Sequence, residues 1–180
     1  IELAVRAGAD GLNMFIGTSP ESRRHNHGRD LGQVAREARA LIEEVRRNYP
    51  HLIIRFSGED AYRTTLDEMF AVYDEVAPLV DRLGLPDTVG VATPARVAER
   101  VLALRARYPG VDLEAHFHND RGLALVNALE AVRAGVRYID TTVCGVGERS
   151  GITSLSALLF NLHIEHDFDR LEGYHLRNSY

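Results

Sequence analysis

Short β-rich runs of apolar residues alternate with amphipathic helical stretches along almost the whole chain. Within the predicted helix 31–47, Val34, Ala38 and Val45 fall on one stripe at a period near 3.6 residues. The predicted strands cover 12–16, 52–56, 79–83, 111–116 and 138–143. The predicted helices cover 31–47, a stretch opening at Thr65, 93–108, 123–134 and 153–164. This alternation predicts an α/β domain.

Local signals mark several helix ends. Thr65 and Glu68 have the spacing of a capping box, and Thr93 followed by Pro94 favours another helix start. Gly135 follows the fourth of these helices, where a glycine commonly ends a helix. These positions predict the points at which the chain turns from helix to strand.

Strand and helix units that recur every ~25 to 40 residues predict right-handed crossovers and a parallel sheet. Two folds fit: an open doubly wound sheet and a (β/α)8 barrel, the TIM barrel. A doubly wound sheet normally carries a glycine-rich phosphate turn after an early strand, and none follows the first strands here. A barrel concentrates its chemistry at the carboxyl ends of its strands, where polar residues cluster in this chain. We therefore expect an incomplete barrel of about five βα units, with an open sheet as the alternative.

Composition describes one ordinary globular domain. The 180 residues are 45% hydrophobic and 26% charged with a net charge of −5, so we expect one domain over 1–180 and no nucleic-acid partner. No apolar run approaches the ~18 residues that span a bilayer, and no charged-then-apolar leader opens the chain. The single cysteine, Cys144, is predicted to be a small buried residue without a disulfide. We expect a cytoplasmic protein that does not interact with membranes.

Two histidines two residues apart end the fourth predicted strand. Strand side chains alternate between faces, so His116 and His118 share one face and Phe117 takes the other. Neutral imidazole is the commonest protein ligand of divalent transition metals, and two on one rigid strand lose little entropy on binding. The pair predicts a metal site, with two ordinary hydrogen-bonded histidines as the alternative. A second such pair, His25 and His27, lies in a polar loop and is not predicted to bind metal.

The second predicted strand ends in charged and hydroxyl side chains. Arg55 and Ser57 share a face by the same alternation, and a guanidinium there suits a bidentate grip on a carboxylate. The alternative for Arg55 is an ion pair with Glu59 or Asp60. Glu59 is accordingly either a desolvated general acid or base, or only a salt-bridge partner.

Glycines bracket a charged turn at 145–151, Gly-Val-Gly-Glu-Arg-Ser-Gly. Glycine lets backbone amides approach a ligand closely, and the preceding threonines and following helix suggest a site for a phosphate or a nucleotide tail. Arg149 adds positive charge. An ordinary surface loop is the alternative.

Together these motifs resemble a known enzyme group, the acyl-CoA-condensing metalloenzymes that include isopropylmalate, homocitrate and citramalate synthases and share a TIM barrel with related lyases. The resemblance covers nearly the whole chain. Four motifs carry it in the order of the family: RFSGED at 55–60, LPDTVGVATP at 85–94, HFHND at 116–120 and GVGERSG at 145–151. Arg55 and the Gly-Ile-Thr at 151–153 make the chain most similar to homocitrate synthases of the lysine pathway.

The resemblance implies a Claisen-type condensation of small-molecule substrates. The enolate of acetyl-CoA attacks the ketone of a 2-oxoacid, and thioester hydrolysis then releases CoA. The resemblance also implies that His116 and His118 hold a divalent Mg²⁺, Mn²⁺ or Zn²⁺ ion as a Lewis acid. The whole enzyme is expected to be a homodimer.

The remaining site residues also follow from the resemblance. Arg55, Ser57 and Thr88 would position the oxoacid, and the arginine favours a second carboxylate, as in 2-oxoglutarate. Glu59 resembles an active-site acid of the family. The residues expected beside acetyl-CoA are Gly145, Gly147, Glu148 and Arg149.

The chain also departs from this group. The group's first barrel strand supplies a third protein metal ligand and a catalytic arginine, and no such motif occurs in this sequence. The histidine-bearing region that helps to deprotonate acetyl-CoA is expected beyond Tyr180. Ile1 falls inside an apolar-periodic segment, so we expect a chain truncated at its front. Alone, it is expected to be almost inactive and poorly stable, because an unclosed barrel exposes sheet edges.

Three alternatives stay open. A 2-isopropylmalate synthase is the runner-up among synthases, ahead of citramalate and phosphonate-pathway relatives. A lyase of the same superfamily would use a cysteine in the glycine-rich turn, where this chain has Arg149 and where Cys144 lies on the wrong side. The third alternative is a non-catalytic remnant that keeps the motifs as a binding or structural domain.

Overall fold

The computed structural model describes residues 1–165, and residues 166–180 of the predicted domain lie outside the described part. The strands are β1 (Gly11–Gly17), β2 (Ile53–Glu59), β3 (Arg82–Asp87), β4 (Asp112–Phe117) and β5 (Tyr138–Ile139). The helices are α1 (Glu2–Arg6), α2 (Pro20–Ser22), α3 (Leu31–Asn48), α4 (Leu66–Val76), α5 (Pro94–Arg107), α6 (Ala124–Ala134) and α7 (Leu155–Ile164). Across residues 1–165, every helix falls short of the length or apolar character needed to cross a bilayer.

The strands form one parallel sheet in the order β1-β2-β3-β4-β5. Because consecutive strands are neighbours, right-handed crossovers place the connecting helices on the same face. A doubly wound sheet would reverse its strand order partway along and carry helices on both faces. The observed winding is that of a (β/α)8 barrel, and the prediction of an incomplete barrel is confirmed.

The apolar core lies between the helices and the outer face of the sheet. Ile54 and Phe56 of β2 and Leu113 and Phe117 of β4 are buried there. The side chains of α3 that pack into this core are Val34, Ala35, Ile42 and Val45. Each large apolar side chain buried in this way contributes roughly 1.5–3 kcal/mol. The alternate residues of each strand point to the other face, where the polar side chains lie.

Each strand departs from its predicted bounds by at least one residue, and the third and fifth depart most. The third strand is predicted from 79 but begins at Arg82, because a 3₁₀ turn over Ala77–Leu79 takes its place. Pro78 in that turn has no amide for a strand ladder. The fifth strand is predicted to reach 143 but ends at Ile139, after which the chain leaves the sheet.

Helix ends follow the predicted signals. Thr65 Oγ1 accepts the Glu68 N–H at 3.2 Å, and the Glu68 carboxylate accepts the Thr65 N–H at 3.1 Å, which completes the capping box. Gly135 ends α6 with a left-handed φ of 104°. Thr93 occupies the N-cap of α5, although its side chain accepts no capping hydrogen bond from the described residues.

Tyr73 joins β2 and β3 where their pairing ends. The ladder between these strands stops at Ser57 and Gly84. The buried Tyr73 hydroxyl accepts the Gly58 N–H at 3.0 Å and donates to the Gly84 carbonyl at 2.5 Å. This tyrosine from α4 replaces one rung of the ladder and lets the two strands diverge towards their carboxyl ends.

Tyr73→Phe is expected to lower the free energy of unfolding by about 1–3 kcal/mol, because it leaves a buried N–H and a buried carbonyl without partners. Urea denaturation of the full natural protein measures the change. Tyr49→Phe is the matched control, since the Tyr49 ring is only partly buried against the core. Equal destabilisation by the two substitutions would contradict the bridging role of Tyr73.

Candidate active site

The carboxyl ends of the strands open onto a cavity of about 410 Å³. Its walls come from all five strand ends and from the loop that follows β5. A larger cleft of about 1140 Å³ lies at the opposite end of the sheet, beside the amino ends of β4 and β5. Barrels of this kind carry their chemistry at the carboxyl ends of the strands. The smaller cavity is therefore the candidate active site.

All but two of the predicted site residues line this cavity. The structure brings together Arg55, Ser57, Glu59, Thr88, His116, His118, Gly147 and Glu148. Gly145 and Arg149 are absent from the walls that the described residues form. Sequence reasoning missed Asp140 in the wall and Glu114 beneath it. Alternation along the strand would have placed Glu114 on the face of His116.

His116 and His118 approach each other closely at the end of β4. Their Nε2 atoms lie 3.2 Å apart, and His116 Nδ1 lies 3.1 Å from Asp140 Oδ2. The carboxylate holds the proton of neutral His116 on Nδ1, so Nε2 keeps a lone pair. Burial, followed by the charges of His116 and Arg149, lowers the pKa of His118. Near neutral pH the His118 ring therefore carries no charge.

This geometry fits two ligands of one metal ion. Two nitrogens that each lie ~2.1 Å from an ion are ~3.0–3.4 Å apart at angles between square and tetrahedral, and the observed separation is 3.2 Å. A carboxylate on the second ring nitrogen is the usual outer partner of a metal-bound imidazole. Within residues 1–165, no group of three His, Cys, Asp or Glu side chains surrounds such a point. The alternative, a hydrogen bond between two ordinary histidines, has the same separation.

Arg55 lies in a buried cluster of charges at the cavity floor. Its Nε is 3.2 Å from Glu114 Oε1, and its Nη2 is 3.3 Å from Asp140 Oδ2. An ion pair does form, but the expected partners, Glu59 and Asp60, are wrong, because Glu114 of β4 and Asp140 after β5 face the guanidinium. Arg55 Nε is not aligned for a hydrogen bond with any of the described groups. Two carboxylates at ion-pair distance therefore hold the guanidinium in place.

The pKa values of Glu114 and Asp140 are shifted in opposite directions. Burial, and then the neighbouring Asp140, raises the pKa of Glu114. Burial would also raise the pKa of Asp140, but hydrogen bonds from His116 and Glu114 and the charge of Arg55 lower it. When the pair holds one proton, that proton therefore resides on Glu114, and Asp140 stays anionic beside His116. Arg82, 3.4 Å from Glu114, extends the cluster.

A glycine makes room for Ser57 and Arg55. Gly84 is the cross-strand neighbour of Ser57, and a Cβ on Gly84 would lie 2.0 Å from Ser57 Oγ and 3.0 Å from Arg55 Nε. The Ser57 hydroxyl is buried and has no hydrogen-bond partner among the described residues. Buried hydroxyls without partners are rare in proteins. Ser57 is therefore available to an oxygen ligand.

Thr88 and Glu59 form the upper part of the wall. Thr88 Oγ1 accepts the Asp60 N–H at 2.8 Å, which leaves the hydroxyl proton free to donate to a ligand. Burial, followed by the charges of Asp60 and Glu148, raises the pKa of Glu59. A carboxyl group with a raised pKa is suited to proton transfer near neutral pH.

The 145–151 loop lies beyond the sheet. Cys144, just before it, is exposed with a left-handed φ of 56°. The prediction that Cys144 is buried is wrong, because β5 ends before it and no strand carries it into the core. The Gly151 carbonyl accepts the Asn119 N–H at 2.9 Å and fastens the loop to the end of β4. The helix that follows, α7, begins only at Leu155.

His27 belongs to a single π-helical turn over Arg23–His27. Its Nδ1 accepts the Arg29 N–H at 3.1 Å, and its Nε2 lies 3.0 Å from the Gly17 carbonyl oxygen. Both ring nitrogens are occupied, so His27 has none left for a metal.

Comparison with known proteins supports a family assignment. Mitochondrial homocitrate synthase from Penicillium rubens is 43% identical over 163 residues, which cover 90% of this chain and 34% of that relative. A 2-isopropylmalate synthase from Geobacillus thermodenitrificans is 34% identical over 174 residues, or 94% of this chain and 33% of that relative. The chain thus spans about a third of the length of the curated relatives it matches.

The structure agrees with this assignment. The solved HMG-CoA lyase from Brucella melitensis has a TM-score of 0.76 and is 26% identical, with 91% of this chain and 62% of that chain covered. The profile of one family, HMGL-like, matches residues 1–178. From this match, and from the sequential parallel sheet that such lyases share, we conclude that the chain belongs to the HMGL-like family.

Proposed function

We propose that the full natural protein condenses acetyl-CoA with 2-oxoglutarate to give homocitrate and CoA. The observation that carries this proposal is the meeting of His116 and His118 with Arg55, Ser57 and Thr88 around one cavity. Similarity to a homocitrate synthase, 43% over 90% of the chain, supports it.

His116 and His118 would hold a divalent metal, Mg²⁺, Mn²⁺ or Zn²⁺, through their Nε2 atoms. When bound, such an ion supplies Lewis acidity towards the ketone and carboxylate oxygens of a 2-oxoacid. Asp140 keeps the proton of His116 on Nδ1, and burial keeps His118 neutral. His118 is therefore in the form that binds a metal, and His116 offers the Nε2 lone pair whenever its ring is neutral.

Three side chains are proposed to orient the oxoacid. The hydroxyl groups of Ser57 and Thr88 have protons free to donate to its carboxylate oxygens. Arg55 is proposed to favour a substrate with a second carboxylate, since its guanidinium is a fixed positive charge at the cavity floor, although Glu114 and Asp140 already lie 3.2 and 3.3 Å from it. A dicarboxylate such as 2-oxoglutarate has that second carboxylate.

Glu59 and the 145–151 loop complete the proposal. We assign Glu59 as a general acid, because it lines the cavity and burial raises its pKa. Gly147 and Glu148 line the same mouth and are proposed to face acetyl-CoA. A homodimer in the cytoplasm is the proposed state of the whole enzyme, and the single cysteine of this sequence fits a reducing compartment.

Thiol release from acetyl-CoA tests the proposal. The full natural protein with Mg²⁺ or Mn²⁺ is expected to turn over with 2-oxoglutarate and not with 2-oxoisovalerate or pyruvate. Arg55→Leu is expected to lower kcat/KM for 2-oxoglutarate by more than ~100-fold, because a charge-assisted contact is lost and two carboxylates are left facing each other. Arg105→Leu is the control, since that side chain lies at the opposite end of the sheet.

The alternative outcomes are distinct. Preference for 2-oxoisovalerate would overturn the assignment of Arg55 and favour a 2-isopropylmalate synthase. One observation already supports that candidate: Glu114 and Asp140 both lie within ion-pair distance of Arg55. If none of the three oxoacids gave thiol release, a non-catalytic protein would be favoured. Cleavage of a 3-hydroxy-3-methylacyl-CoA would favour a lyase, although Arg149 stands where the lyases' turn cysteine is expected.

A further inference from the structure

We propose that Arg149 is a positioning residue that holds the 145–151 loop and Thr88 together as one unit, and that it does not itself bind acetyl-CoA. This inference deepens the proposed function and rests on it for the assignment of Thr88 to the oxoacid. It replaces the expectation from sequence that Arg149 lies against acetyl-CoA.

The contacts of Arg149 join three loops at the mouth of the cavity. Its Nε donates to Asp120 Oδ1 at 2.7 Å, and its Nη2 donates to Asp120 Oδ2 at 2.9 Å. Nη2 also donates to the Thr88 carbonyl at 2.8 Å. The loops after β3, β4 and β5 therefore meet at one guanidinium, whose planar fork sets direction as well as distance.

A glycine leaves the space that the Asp120 carboxylate occupies. Gly90 has a left-handed φ of 67°, and a Cβ on it would lie 2.8 Å from Asp120 Oδ2. Any side chain at Gly90 would push the carboxylate away from Arg149. The loop after β3 thus makes room for the partner of Arg149 while its own Thr88 carbonyl accepts from the same guanidinium.

The backbone of the loop is held in an uncommon conformation. Arg149 itself has a φ of 55°, and Gly145 and Gly151 have φ values of 70° and 87°. A non-glycine residue in the left-handed region is strained and persists where surrounding contacts hold it. The hydrogen bonds of the guanidinium to Asp120 and Thr88 are contacts of that kind.

Stability alone does not account for the ion pair. The Arg149 side chain is 43% exposed and that of Asp120 is 24% exposed, and exposed ion pairs contribute little to stability. The charge of Arg149 is already matched by Asp120, and the guanidinium lies outside the cavity walls. A phosphate of CoA would have to displace a bidentate carboxylate to reach it. The geometry thus suits orientation of the loop better than capture of an anion.

The position of Thr88 explains how the contacts of Arg149 influence substrate binding. Asp60 N–H donates to Thr88 Oγ1 from one side, and Arg149 donates to the Thr88 carbonyl from the other. Together they set the direction of the hydroxyl proton proposed to meet the oxoacid. Losing Arg149 frees Thr88 and the wall residue Glu148 at the same time.

The experiment compares Arg149→Lys, Arg149→Gln and Asp120→Asn in the full natural protein. Lysine keeps the charge but cannot make the planar fork. Arg121→Gln is the matched control, because Arg121 is an exposed neighbour whose one hydrogen bond among residues 1–165 goes to the Val91 carbonyl. One readout needs no substrate: amide exchange of 145–151 by mass spectrometry.

All three variants are expected to speed amide exchange of 145–151 by ~10-fold or more, because the loop no longer has its bidentate contact. They are also expected to lower kcat/KM for 2-oxoglutarate by ~10- to 100-fold through misplacement of Thr88. A double variant that combines Arg149→Gln with Asp120→Asn should lose no more kcat/KM than the more severe of the two single variants, since both residues serve one contact.

Direct CoA binding predicts a different pattern. In that case Arg149→Lys would keep most activity, the only change in Arg149→Gln would be a higher KM for acetyl-CoA, and Asp120→Asn would behave like Arg121→Gln. Unchanged loop exchange in the Arg149 variants would likewise overturn the inference. The exchange result holds even if the protein condenses no oxoacid, so a failure of the proposed function is distinguishable from a failure of this inference.

Discussion

His116→Gln and His118→Gln are each expected to abolish metal-dependent turnover, with a loss greater than the ~100-fold typical of outer-shell substitutions. Each substitution removes an imidazole lone pair from a two-histidine arrangement whose Nε2 atoms lie 3.2 Å apart. Glutamine has a similar reach but binds such metals weakly. Thiol release with 2-oxoglutarate measures turnover, and Mn²⁺ titration followed by electron paramagnetic resonance measures metal affinity directly.

The control for this pair is His51→Gln, an exposed histidine in the turn before β2. It is expected to leave both Mn²⁺ affinity and turnover unchanged. If the two site variants bound Mn²⁺ as tightly as the natural protein, the histidines would be ordinary hydrogen-bonded residues, and the metal would have to be held elsewhere.

Gly84→Ala is expected to lower kcat/KM for the oxoacid by ~100-fold while leaving Mn²⁺ affinity within a factor of about three. The new Cβ would lie 2.0 Å from Ser57 Oγ and 3.0 Å from Arg55 Nε, so both side chains have to move. The histidines are on β4 and do not contact this Cβ. Overpacking of this kind also costs roughly 1–3 kcal/mol of stability.

Gly110→Ala is the matched control, because a Cβ at Gly110 meets nothing within 4 Å. Steady-state kinetics with both substrates and urea denaturation should be run on the two variants together. Equal kcat/KM in Gly84→Ala and the natural protein would show that Ser57 and Arg55 need not hold their present places for catalysis.

Alternation along a single strand was enough to predict which side chains share a face. It placed His116 with His118 and Arg55 with Ser57, and the structure has all four on the wall of one cavity. The same rule applied to Glu114 would have added it to the set. These features depend only on the two-residue period of an extended backbone.

The partners of Arg55 could not be predicted in this way. They depend on which strands become neighbours and with what offset, and the register pairs Arg55 with Arg82 and Glu114 with Tyr138. Such offsets come from packing across the whole sheet, which the pattern along one strand does not specify. Closeness along the chain alone therefore indicated Glu59 and Asp60 as the ion-pair partners of Arg55.

The last strand shows a second limit of prediction from the sequence. The sequence predicts a fifth strand that continues to Val143, but β5 is confined to Tyr138–Ile139. Beyond it, Thr142 forms a bridge with Ser154 on the far side of the loop. Tertiary pairing of this kind overrides local strand preference, and it is also what exposes Cys144.

The two faces of each strand are open to separate selection. On β2, Ile54 and Phe56 serve only the layer beneath the helices, whereas Arg55 and Ser57 face the cavity. If the proposed function holds, substitutions at the cavity-facing positions can change the preferred oxoacid without altering the side chains of the apolar layer. Neighbours in sequence would then evolve at different rates, and relatives with different substrates would still share one apolar layer.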